Sequence, residues 1–350
     1  MWVYWFLFLW PTILVFTGTR STITNSHFTW LLYSAILTLV IGLRFEVGMD
    51  WSSYLTHIEK ARAQNWVEAL QTKDPAYGLL NWVSVSVGAE IWLVNLVCAF
   101  IFVSGLIAFC RKLPNSWLAL TVAIPYIAIV MAMNYTRQSA AFGFVLWGLI
   151  AILDGRFFRF TILLLLATTF HKSAALLIPL AALASTRNRL WIFFWIIITT
   201  FLAFVIFLVE SSDRLVDEYI NAELASDGGW IRVTMNAIPA FIFLLFRKYL
   251  GLHERQIKLN YWLSISSLIF IPAMIISPSS AAIDRVALYF QPIQIVVFSY
   301  LPIALRSSGM ARIATLLVIC AYSLILFVWL NFSNFHDSWL PYKWYPFEMA

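Results

Sequence analysis

Charge is what this sequence has least of. Only 11% of its 350 residues are Asp, Glu, Lys or Arg, against roughly 25% in soluble domains. That excludes an ordinary soluble globular protein, and it excludes a charged disordered tail. Cysteine is scarcer still. Cys98, Cys110 and Cys320 each fall in or beside an apolar run, with no metal spacing and no implied pairing. They read as small hydrophobes, and a disulfide-stapled secreted domain is excluded. The catalytic signatures are missing as well. No G-x-x-x-x-G-K-[ST] or G-x-G-x-x-G is present, which argues against ATP-driven work and dinucleotide chemistry. No D-x-D pair could hold a metal against a nucleotide sugar. No H-E-x-x-H or histidine cluster suggests zinc, and no G-x-S-x-G elbow suggests a serine hydrolase. The expectation is therefore a protein that works with no cofactor and no metal.

What the chain has is apolar sequence. Hydrophobic residues make up 62% and aromatic residues 17%, and the mean hydropathy is +0.83. This composition predicts an all-α, polytopic transmembrane helical bundle forming one domain over 1–350. Apolar runs give twelve spans, at about 1–17, 28–43, 90–110, 117–134, 138–153, 157–170, 173–186, 190–209, 232–247, 259–277, 286–305 and 313–331. The sixth and seventh are short and read as a helical hairpin that stops at His171. The first run lacks a basic leader and a small-residue cleavage site, so it reads as a retained span. A dozen spans leave about 110–130 residues for loops, enough for a site but not for a second domain.

The net charge of +6 is read against the membrane, not against nucleic acid. One set of loops holds Arg20, Arg111, Lys112, Arg156, Arg159, Arg187, Arg189, Arg247, Lys248, Arg255, Lys258, Arg306 and Arg312. Those 13 basic residues face two acids, Asp154 and Glu254, for a net +11. The remaining 10 basic residues and 15 acids give −5. The positive-inside rule puts the first set in the cytoplasm. The loops 44–89, 134–138, 171–173, 210–232, 277–285 and 332–350 are then outside. In loop 44–89, Asp50 is placed to cap an amphipathic helix from Trp51 to Leu70 lying on the membrane surface or the bundle. Asp74-Pro75 starts a second helix too short to span. Loop 210–232 is acidic and ends in a glycine turn. The aromatic, proline-bearing tail reads as an interface-hugging segment.

Ionisable residues at membrane depth are costly and default to functional candidates. Positive-inside bias should strip arginine from short outer loops, yet Arg137, Arg232 and Arg285 sit in or beside them, and Arg44 ends the second span. Each alone could snorkel to the interface. Together they would form an outward-facing anion site, because guanidinium forks match phosphate oxygens bidentately. A lipid diphosphate is one such anion. His171, Asp50 and Glu46 are the acid–base candidates beside it.

The run Gly42-Leu-Arg-Phe-Glu-Val-Gly-Met-Asp-Trp-Ser-Ser-Tyr54 resembles a signature of the EpsG family, which is related in role to Wzy O-antigen polymerases. Asp74-Pro-Ala-Tyr-Gly-Leu-Leu-Asn81, Arg137-Gln138, Phe170-His-Lys-Ser173, Arg285 with Tyr289-Phe290, and Trp339-Leu-Pro-Tyr342 extend the likeness from about 42 to 342. One departure is Ala76-Tyr77-Gly78, where a glycine directly after the proline is more usual.

The resemblance implies a glycosyltransferase of the GT-C type in the bacterial cytoplasmic (inner) membrane, with its active site facing outward. Its substrates would be undecaprenyl-diphosphate-linked oligosaccharides of an O-antigen, capsule or exopolysaccharide. The growing chain would move en bloc onto a fresh lipid-linked unit. A flippase and a chain-length regulator are implied partners. Arg44, Arg137, Arg232 and Arg285 are then diphosphate clamps, His171 the favoured base, and Asp50 its rival or orienting partner, with Glu46 third. Trp51, Tyr54 and Trp230 could stack on sugars. Gln138, Lys172 and Tyr289 lie in the matched motifs and are carried as substrate-binding positions. Two other readings stay open: an O-antigen ligase using the same donor, and a transporter of lipid-linked glycans.

Overall fold

A computed structural model describes residues 1–17, 26–178, 180, 194, 197, 228–276, 280–306 and 309–348. Among these residues the architecture is helical, with fifteen α-helices and two two-residue strands. Helix α1 spans Trp2–Phe16 and α2 spans His27–Gly42, followed by β1 at Arg44–Phe45. Three short helices come next: α3 (Trp51–Arg62), α4 (Trp66–Leu70) and α5 (Pro75–Ser86). Then come α6 (Glu90–Arg111), α7 (Ser116–Ala123), α8 (Thr136–Leu153) and α9 (Phe157–Phe170). A π-helix at Ile124–Ala132 joins α7 to α8, and a 3-10 turn at Lys172–Leu177 follows α9. The second half holds α10 (Gly229–Phe246), α11 (Glu254–Ile276), α12 (Ser280–Ala287), α13 (Pro292–Ala304) and α14 (Ala311–Phe332). β2 (Lys343–Trp344) and α15 (Tyr345–Glu348) close the chain's described part.

Among the described residues, six helices are long and apolar enough to cross a membrane: α6, α8, α10, α11, the run Ile283–Ala304 through α12 and α13, and α14. Four shorter apolar helices, α1, α2, Ser116–Ala132 and α9, coincide with four more of the expected spans. At 1.5 Å per residue the shorter ones reach roughly 21–26 Å, less than a bilayer core of about 30 Å. The expected span 190–209, nearly all of 173–186 beyond the 3-10 turn, most of loop 210–232, and Arg20, Arg187 and Arg189 lie outside the described residues.

Two glycines set the central crossing. A Cβ on Gly105 would meet the Gly143 carbonyl oxygen at 2.2 Å, and one on Gly143 would meet the Ile101 carbonyl oxygen at 2.4 Å. Helices α6 and α8 therefore pack backbone against backbone, as small residues allow between helices in lipid.

Three local expectations are corrected. The helix expected from Trp51 to Leu70 breaks after Arg62. Asn65 caps a new turn there, accepting from the amides of Val67 and Glu68 while Glu68 reaches back to the Asn65 amide. Asp50 makes no side-chain cap bond on α3; its own amide is engaged by Asn134 instead. The tail is more than an interface segment, because part of it packs into the bundle. Trp339 is buried and donates from Nε1 to the Ile129 carbonyl (3.1 Å), and β2 pairs antiparallel with β1, Arg44 opposite Trp344.

Candidate functional site

The site is organised from the first turn of α8. The wide π-helix delivers the chain to Asn134, whose Oδ1 accepts from the Asp50 amide at 3.2 Å. Thr136, Arg137 and Gln138 follow in succession, and each holds a different segment. The Thr136 hydroxyl accepts from Arg44 Nη2 (2.7 Å). Arg137 Nη1 donates to Asp74 Oδ2 (2.8 Å). Gln138 Nε2 donates to the Arg285 carbonyl (2.5 Å). Successive helical residues point about 100° apart, so one turn reaches three neighbours. It ties the Asp50 turn, the start of α5 and the end of α12 into one end of the bundle.

Gly48 lets the Asp50 turn lie flat on this hub. Its φ is +101°, and a Cβ there would meet the Met133 carbonyl oxygen at 2.6 Å, so only glycine fits. Gly78 explains the departure at Ala76-Tyr77-Gly78. A Cβ on Gly78 would sit 2.2 Å from Thr72 Oγ1 and 2.4 Å from the Ala69 carbonyl oxygen. The glycine is needed where α5 passes the 69–72 turn.

His171 enters from α9. The helix ends at Phe170, and His171 turns extended (φ −158°, ψ 113°) before the 3-10 turn. Ser173 Oγ lies 3.5 Å from the Tyr289 hydroxyl, which fixes this turn against the segment after α12. Asp74, paired with Arg137, also accepts from the Lys172 amide.

The electrostatics follow from this convergence. Burial pushes His171 down to about 3, and the positive charges of Arg137, Arg285 and Lys73 push it the same way. The imidazole is neutral at physiological pH. Burial lifts the Asp50 carboxyl above its usual range, against the pull of Arg285 and Arg137. Asp74 is lifted by burial too, against Arg137. Burial raises the Tyr54 phenol to about 12, so it stays protonated. The arrangement sets the charges of Arg137 and Arg285 beside a neutral histidine, which is chemistry suited to binding an anion. Among the described residues no three His, Cys, Asp or Glu side chains gather closely enough to hold a metal ion.

The structure thus brings Arg137, Arg285, Asp50 and His171 together, with Lys172 in the same turn. It directs other expected residues elsewhere. Arg44 is only 1% exposed and donates to the Ile41 and Val47 carbonyls and to Thr136. Arg232 makes a buried two-pronged ion pair with Asp284. Glu46 pairs with Lys343 of the tail at 2.5 Å. Gln138 and Tyr289 are buried supports. Tyr54 is buried, and Trp51 is half-buried with its ring edge-on to Phe45. Trp230 is half-exposed at the start of α10.

Sequence reasoning missed Asn134, Thr136, Lys73, Asp74 and His57. His57 on α3 shares a cleft with Arg137, Asp74 and Tyr77. Burial, with Arg137 and Lys60, lowers it to about 4. Asp74 stood out as a helix start and in a matched motif, but not as a partner of Arg137; for the others the only signal was polarity beside a span end or within a long loop.

Among the described residues, several members of the basic loop set lie at the end opposite the site. Lys112 pairs with Asp154 (3.2 Å), Arg111 reaches His27 (3.4 Å), and Arg255 reaches the Leu153 carbonyl (3.5 Å), all at the far ends of α6 and α8 from the site.

In comparison with known proteins, no curated protein and no solved structure matches the chain. A family model, that of the EpsG family, matches residues 27–344.

Proposed function

The chain belongs to the EpsG family, membrane proteins that are like Wzy-type polysaccharide polymerases, and on that premise we propose that it polymerises undecaprenyl-diphosphate-linked oligosaccharides. The observation that carries this reading is the convergence of Arg137 and Arg285 with Asp50 and His171 at one end of the bundle. The donor is the growing glycan on its lipid diphosphate, and the acceptor is a fresh lipid-linked unit. The site opens outward from the bacterial inner membrane. A flippase supplies units and a chain-length regulator associates with the bundle.

An acceptor hydroxyl oxygen attacks the anomeric carbon of the donor. The bond from that carbon to the diphosphate oxygen breaks, and its electron pair leaves on the diphosphate. Arg137 and Arg285 stabilise that growing charge, the role metals fill elsewhere, so no metal is required. The acceptor's proton passes to His171. Burial first, and then the same cations, keep His171 a weak base. A bound diphosphate offsets the cations' share and strengthens the base by that part. Asp50 orients the imidazole. Asp74 aims Arg137, while Arg44 holds the 44–50 turn in place.

The test is polymerisation in lipid nanodiscs with a lipid-diphosphate-linked repeat unit, EDTA present and nucleotide absent. Wild type gives a glycan ladder. Arg285→Ala slows it by about 10²–10³, the loss seen when one donor to a developing oxyanion is removed, and His171→Ala abolishes it. A folded wild type that leaves its verified native substrate unextended overturns the reading; transfer onto a lipid A core acceptor alone makes it a ligase.

A further inference from the structure

Arg137 and Asp74 also line a cleft walled by α3, the 72–74 turn and α5, which His171, Arg285 and Asp50 do not line. Asp74 presents there a buried carboxylate whose Oδ1 has no hydrogen-bond partner, beside the Arg137 charge. The cleft's other polar groups are of two kinds. Lys60 and Lys73 stand exposed at its edge, and among the described residues neither makes an ion pair with a carboxylate. Deeper in, the groups are acceptors. Asn81 is 2% exposed; its Nδ2 donates to the Tyr77 carbonyl (2.7 Å), and its Oδ1 accepts no hydrogen bond from the protein. The Thr72 hydroxyl spends its hydrogen on the Ala69 carbonyl (2.8 Å), so what it offers the cleft is an oxygen lone pair. Gln64 and the neutral ring of His57 add groups that both donate and accept.

This mixture selects its ligand. A buried acceptor left unpaired costs on the order of 1–3 kcal/mol, so Asn81 calls for a ligand that brings a hydrogen. A diphosphate esterified at both ends brings none, and inorganic phosphate at neutral pH keeps only about one or two hydrogens, fewer than the hydroxyls of a sugar. A neutral sugar brings hydroxyls but leaves the two lysines unused. A sugar carrying a carboxylate brings both: hydroxyls for Asn81 and Thr72, and a negative charge for Lys60 and Lys73. Tyr77 completes the pocket. Its ring stands edge-on to His57, centroids 5.7 Å apart, and carries Arg137 over its face at 5.8 Å. The aromatic wall thereby meets the cation shared with the diphosphate side.

We infer that this cleft is the subsite for an acidic sugar, a uronic acid residue near the non-reducing end of the acceptor glycan. The inference rests on the polymerase reading for its term "acceptor", but not for the binding itself. Its position across Arg137 from His171 would present the adjoining hydroxyl to the reaction centre. The substrates of this protein are then repeat units with a carboxylate close to the growing end.

The experiment is direct binding to the full chain in nanodiscs, read by saturation-transfer NMR and calorimetry. Three probes are compared: a disaccharide ending in glucuronate, the same disaccharide ending in glucose, and inorganic pyrophosphate. The glucuronate probe should bind about ten-fold tighter than the neutral one, a difference of about 1.4 kcal/mol. Lys60→Gln with Lys73→Gln should erase that preference, and Asn81→Leu should weaken both sugars. Lys60→Gln alone, on an exposed position, guards against misfolding and should lose part of the preference at an unchanged melting temperature. Arg285→Ala should leave glucuronate binding intact and weaken pyrophosphate. Equal affinity for the two sugars, or a preference that survives loss of both lysines, overturns the inference. So does pyrophosphate binding that depends on Lys60, which would make the cleft a phosphate site. Pyrophosphate binding indifferent to Arg285 would instead count against the diphosphate assignment, whatever the sugars do.

Discussion

His171 and His57 are both held neutral by burial and by neighbouring cations, at about 3 and about 4. In the unfolded chain each would take a proton near 6.5. Between those values the unfolded state binds more protons than the folded state, so stability falls as pH drops through the window. Asp50 and Asp74 act in the opposite sense. Burial lifts their carboxyls, so the folded state takes up protons there first and gains from acidification. The double variant His57→Gln, His171→Gln should therefore show a melting temperature in detergent that is flat or rising from pH 7 to 4.5, while wild type falls. A wild-type decline in the double variant would mean that other groups set it. At this scale the charged residues near membrane depth were legible because they stand out in apolar sequence. What a charge faces was not. Arg44 and Arg285 look alike in sequence, yet one is locked against backbone carbonyls and the other is exposed. His57 and Lys73 were hidden for the opposite reason: polar residues in a long loop look like solvation.

Helices were legible where apolar runs of the right length recur: among the described residues, ten of the expected spans coincide with a helix, and the other two lie almost wholly outside them. The departures come where a local device overrides periodicity: the Asn65–Glu68 capping box, the π-helix after Ala123, and the β1–β2 pairing between segments far apart in sequence. Close helix approach is equally invisible in a hydropathy pattern. Gly143→Ala should destabilise the bundle by about 1–3 kcal/mol, because the added methyl meets backbone on α6 that cannot turn aside. Gly148→Ala meets only the Phe160 ring edge at 3.2 Å and should cost clearly less. Thermal denaturation of the two purified variants in the same detergent checks the order; equal losses would mean that α6 and α8 can slide apart freely.

Among the described residues, Arg111, Lys112, Asp154 and Arg255 lie at the ends of α6 and α8 opposite Asp50, Asp74 and Arg137, as their loop charges predict. Single cysteines at Gln64 and Lys112, in a background without Cys320, should react with impermeant maleimide from opposite sides of the membrane, Gln64 from outside. Labelling of both from one side would refute the topology. The tail is the part least legible at this scale, because its aromatics suggested an interface. Instead Trp339 fills the core, Tyr4 donates to its carbonyl (2.6 Å), and Ser338 accepts from the Gly48 amide (2.8 Å). Trp339→Ala should cost about 3–5 kcal/mol. Lys343→Ala, which removes an exposed pair with Glu46 and a contact with the Phe45 ring, should cost far less. Denaturation of both variants tests the contrast. The Gly48 amide and the Leu43 carbonyl thus find their partners in residues 338 and 345, nearly three hundred positions later. Insertion of the early helices during translation leaves the Asp50 turn without that anchor. That end of the bundle can be completed only after the tail has left the ribosome, so a stalled or truncated chain lacks the partners that hold the Asp50 turn.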